Sequence, residues 1–149
     1  MHAIASAQAR LAAASTQGPV FDAALAAFEV TRLVAHEYSR RHTSSYPMWM
    51  YTVPAACDGR DALGFAPTAP DGPLLSAEDI DLDSCSEEEA AADALADLAA
   101  SIAGRLRATT AQLDIPGDVA ACERTPCMAC WPRADDGWRD ARRSAERSQ

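Results

Sequence analysis

From Ala91 onward an apolar residue recurs every three or four positions: Ala91, Leu95, Leu98, Ile102 and Leu106, with Leu113 prolonging the stripe. Only an α-helix gathers residues at that spacing onto one face. The run Ser86-Glu-Glu-Glu89 ahead of it is a capping box, in which a serine hydroxyl and a glutamate three residues later satisfy backbone donors at a helix start. Acidic residues crowd the first turn while Arg105 and Arg107 lie toward the end, the charge order favoured by the helix dipole. A long helix ending near Leu113 is therefore expected, stopped by Pro116-Gly117.

A helix with one apolar stripe must cover it with other elements. Ala3 to Ser15 reads as a short Ala-rich helix closed by Gln17-Gly18-Pro19. A second long helix is expected from Phe21 to about Arg41. Its apolar residues Phe21, Ala24, Phe28, Val30, Thr31, Val34, Ala35 and Tyr38 span an arc wide enough for neighbours on more than one side. Asp22, Glu29, Arg32, His36 and Arg40 form the opposing polar strip. Hydrophobic residues make up 48% of the 149-residue chain and aromatics only 6%. Alanine supplies much of that class and buries little area, so the core leans on a few Leu, Phe, Met and Trp side chains.

The period breaks at Tyr46. Tyr46 to Val53 is continuously apolar and aromatic, Asp58-Gly59 is a hairpin-type turn dipeptide, and Ala62 to Phe65 offers a return strand. Pro47 and Pro54 withhold ladder donors, so the expected hairpin is short and irregular, with Cys57 at its tip. The fold class expected is thus mainly α, with three principal helices, a short irregular β-hairpin and a Cys-containing C-terminal loop; a true hairpin would make it α+β. Residues 1–132 are expected to form a single helical domain, and 133–149 a polar, Arg-rich tail.

Chemistry concentrates in Cys122, Cys127 and Cys130, a Cys-x4-Cys-x2-Cys run. Thiolates sharing a metal must converge within a few ångströms, and a Cys-x-x-Cys turn achieves that with little chain to order. Zinc needs a fourth ligand, for which Cys57 is the choice, since a hairpin tip reaches a loop without distorting a helix. The competing reading is that these are small buried hydrophobes in a reduced compartment. The spacing also resembles the first three ligands of plant-type [2Fe–2S] ferredoxins, but no Cys follows Cys130 to supply the fourth.

Other motifs fail on geometry. His36-Glu37 and His42 resemble the zincin motif, yet six residues on a helix set the two imidazoles about 120° apart. Asp79 to Asp83 resembles the opening of an EF-hand loop, but Ser84 stands at its turn position and Ala90 at its bidentate position. No basic residue lies between Arg60 and Arg105, so this stretch is strongly negative. The formal net charge is -9, which disfavours general nucleic-acid binding. No segment has the length of a membrane span and no export signal is evident, so a cytoplasmic protein is expected. The function expected is a non-enzymatic binding or regulatory module with a protein partner, a basic one by charge, and a structural zinc at the Cys cluster. The rival is an enzyme or small-molecule binder with a pocket between the Phe21–Arg41 helix and the Tyr46–Val53 segment, lined by His36, Tyr38, Tyr46, Trp49 and Tyr51.

Overall fold

The computed structural model describes residues 2–41, 46–70 and 88–125. Within them the chain forms five helices: α1 (His2–Ala13), α2 (Gln17–Arg41), α3 (Tyr46–Gly64), α4 (Glu88–Thr110) and α5 (Pro116–Arg124). The expected Ser86 capping box, the acidic run at Asp79–Asp83, Cys127, Cys130 and the tail from 133 all lie outside the described residues.

Helix α2 is the centre. It packs against α1, α3 and α4, and its buried residues occupy nearly the whole circumference. The wide apolar arc of the sequence is thus matched by three neighbours. Helix α4 turns its expected stripe inward: Ala91, Leu95, Leu98, Ile102 and Leu106 are buried, while Asp93 and Asp97 are exposed. It ends at Thr110 instead of Leu113, because the chain tightens there into shorter-range bonds, Gln112 N–H to Thr109 O at 2.8 Å and Leu113 N–H to Thr110 O at 3.3 Å. Arg105 reaches from α4 to the end of α1, donating to the carbonyls of Leu11 (3.1 Å), Ala12 (2.7 Å) and Ala14. These are among the carbonyls left orphaned where a helix stops, so α4 caps α1.

The hairpin is not there: Tyr46 to Gly64 is one helix. The burial pattern explains it. Trp49, Thr52, Ala56, Gly59, Leu63 and Ala66 are buried at alternating spacings of three and four, which is a helical stripe built largely from small residues. Pro47 is tolerated because it falls in the first turn, where the backbone N–H has no intrahelical partner. Pro54 does lie inside the helix, on its exposed side. Gly59 marks no turn; it lets α3 approach α2, since a Cβ there would stand 2.5 Å from Cε1 of Phe28. Cys57 accordingly sits mid-helix and not at a hairpin tip.

Pro116, expected to stop α4, instead opens a helix six residues beyond its end, so Cys122 belongs to α5 and not to a loop. Gly117 permits this helix start to press on the end of the α3 connection, where a Cβ would meet Pro67 Cγ at 2.6 Å.

Candidate functional site

The α2–α3 seam gathers Glu29, Arg32, Arg60 and Asp61 into one connected group of ion pairs. Glu29 lies on the polar side of α2, yet it is only 3% exposed. Arg32, one turn on, donates Nε to both carboxylate oxygens at 3.1 Å and Nη2 to Oε1 at 2.5 Å. From α3, Arg60 donates Nη1 to Oε2 at 3.1 Å and also grips its neighbour Asp61 at 2.9 Å. Burial pushes the Glu29 carboxyl up, but the hydrogen bonds and charges of Arg32 and Arg60 outweigh it and hold the group below its ordinary value. The bond to Glu29 likewise makes Arg32 harder to deprotonate. Cys57, half-buried on α3, lies close enough for its charge, when ionised, to act on Arg32. A carboxylate clamped by two guanidiniums is a poor proton acceptor, so this constellation joins two helices more readily than it performs acid–base chemistry.

A second polar centre ties together three distant parts of the chain. Asp118, in the first turn of α5, is fully buried. Its Oδ1 accepts from the Thr68 backbone N–H at 3.1 Å. Its Oδ2 accepts from the Thr68 hydroxyl at 2.9 Å and from Gln17 Nε2 at 2.7 Å. Gln17 also donates to Thr68 Oγ1 at 2.6 Å, closing a triangle. The carboxylate therefore has donors on both oxygens, as a buried one must. None of these three residues stands out in the sequence beyond Asp118 following Pro116-Gly117, the usual place for an acid in a first turn.

The residues of the expected pocket separate. Tyr38 and Trp49 come together, both 2% exposed, their rings stacked with centroids 4.9 Å apart at 28°. The Trp49 indole N–H donates to Glu88 Oε1 at 2.7 Å, fastening the start of α4. His36 and Tyr51 are instead exposed, and the Tyr46 side chain lies outside the described part of the structure. The polar strip of α2 is thus split: His36 faces solvent, while Glu29 is sealed beneath Arg32 and Arg60.

Of the expected zinc ligands, Cys57 and Cys122 can be placed, and both are free thiols. Burial pushes the Cys122 thiol up, and its hydrogen bond with the Thr110 side chain on α4 opposes this only in part. The helices that carry these two thiols, α3 and α5, pack on each other. Among the described residues no three His, Cys, Asp or Glu side chains converge as a metal site would require, and no described helix is long and apolar enough to cross a membrane. Compared with protein-family models, curated proteins and solved structures, the chain matches none.

Proposed function

We propose that this protein is a non-enzymatic binding module that acts through a protein partner. The observation that carries the reading is the outer side of α3, where Met50, Tyr51 and Phe65 stand 51%, 75% and 80% exposed. Single exposed apolar residues are ordinary, but three large ones on one helix flank, in a chain poor in aromatics, are the kind of surface that partners cover. The internal polar centres support it from the other side: Glu29 and Asp118 are fully occupied in holding helices together.

A structural zinc at Cys122, Cys127, Cys130 and Cys57 is the second part of the proposal, supported by the Cys spacing and by the packing of α3 on α5. Each thiol must lose its proton to ligate, so loading would rise with pH. Purified protein is expected to carry about one zinc per chain, and a chelator is expected to lower its melting temperature. Metal-free protein of unchanged stability would remove this part alone.

The partner reading is tested by placing a photo-crosslinking amino acid, in separate variants, at His36 on α2, Tyr51 on α3 and Asp97 on α4, all exposed. Irradiation in cells should give a discrete heavier adduct from at least one position, competed by unlabelled protein. Monomer alone from all three would overturn the reading.

A further inference from the structure

On a helical projection of α3, Met50, Tyr51, Pro54, Asp58, Asp61 and Phe65 fall within an arc of about 100°, opposite the buried stripe. Phe65 continues the helical path, its N–H bonded to Asp61 O at 3.2 Å. Along this face the chemistry is ordered. Tyr51, Asp58 and Phe65 follow one another at heptad spacing, placing a carboxylate about 10 Å from an exposed aromatic on either side. Asp61 is held by Arg60, whereas Asp58 has no ion-pair partner among the described residues.

We infer that the outer face of α3 docks an amphipathic helix of the partner, one that presents an Arg or Lys between two apolar turns. This deepens the partner-binding reading and rests on it. Charge complementarity chooses the occupant. An unpaired carboxylate between apolar ends would be left desolvated against a wholly apolar helix, and is satisfied by a central cation. A second copy suits the face less well. Two α3 helices related by a two-fold axis that pairs Tyr51 with Phe65 bring Asp58 against Asp58.

The test uses the full chain and two fluorescein-labelled peptides of Ala and Gln, each about 22 residues long so that an isolated helix can form. Both carry Leu one heptad before and after a central pair, Arg in one peptide and Glu in the other. Fluorescence anisotropy should show saturable binding of the Arg peptide. Asp58→Arg should weaken it about tenfold and transfer preference to the Glu peptide, while Tyr51→Ala and Phe65→Ala weaken the Arg peptide by a similar factor. No saturable binding to the wild-type chain, or equal binding of the Arg peptide to wild type and Asp58→Arg, would overturn the inference. So would a dimer in sedimentation velocity that Tyr51→Ala dissolves, which would assign the face to a second copy. Crosslinked adducts from His36 or Asp97 without one from Tyr51 would end this inference and leave the partner reading standing; adducts from none would end both.

Discussion

Gly59 faces the ring of Phe28 with no room for a side chain, a Cβ there standing 2.5 Å from Cε1 and 2.7 Å from Cζ. Phe28 is fully buried, so its ring has little freedom to retreat. Two effects oppose each other in Gly59→Ala. Helix propensity favours alanine by about 1 kcal/mol, while overpacking a closed seam costs about 1–3 kcal/mol. The steric cost is expected to win, lowering stability in urea titration by about 1 kcal/mol. With Phe28→Leu in place the same change should become neutral or stabilising, a coupling that a double-mutant cycle reads directly. A higher melting temperature for Gly59→Ala alone would show that the helices are not in close contact.

The Glu29 clamp predicts an acid limb. The carboxyl titrates below its ordinary value of 4.5 when folded, so the unfolded chain takes up its proton first as the pH drops. Its contribution is complete above about pH 4.5 and is lost as the pH falls through the lower folded value. Glu37, held down chiefly by its hydrogen bond to Arg41, acts in the same direction. Glu29→Gln should cost about 2–3 kcal/mol at neutral pH and flatten the acid limb without abolishing it. Identical pH profiles for the variant and wild type would show that the clamp is not formed in solution.

Asp118→Ala should be more damaging than its surface-type residue suggests. It strips partners from the N–H and hydroxyl of the exposed Thr68 and from the half-buried Gln17 amide, a loss expected to cost about 1–3 kcal/mol. Gln17→Ala should cost less, and the pair should be markedly less than additive. Additive effects in urea titration would mean that the triangle is not a unit.

Cys122 predicts the alkaline side. Its folded pKa is raised above the ordinary 9.0, mainly by burial, so the native state holds a proton that the unfolded chain has released. Stability should be fully present below pH 9 and decline as the pH climbs toward the folded value. In metal-free protein Cys122→Ala should shallow that decline, measured as melting temperature against pH.

The helices with large apolar residues at regular spacing were legible from sequence. Leu95, Leu98, Ile102 and Leu106 announce α4, and Phe21, Phe28, Val34 and Tyr38 announce α2. Helix α3 was not, because between Trp49 and Leu63 its buried stripe runs through Thr52, Ala56 and Gly59, whose small side chains carry little hydropathy, while Met50, Tyr51 and, just past its end, Phe65 are exposed. Asp58-Gly59 mimicked a turn because close approach to Phe28 and a left-handed backbone both call for glycine. Within the candidate sites, Glu29 and Arg32 were legible as neighbours on a polar strip. Their burial depended on Arg60 arriving from another helix, and the Gln17–Thr68–Asp118 triangle depends wholly on tertiary closure.

That triangle also fixes an order of events. Gln17 and Asp118 are separated by 101 positions, and Thr68 and Asp118 by 50. The seam between α2 and α3 joins helices consecutive in the chain, so it can assemble with a far smaller loss of loop entropy. The buried carboxylate is then expected to find its donors only after the folding barrier is crossed. Asp118→Ala should leave the refolding rate nearly untouched and express its whole effect as faster unfolding, making this residue a determinant of how long the native state lives.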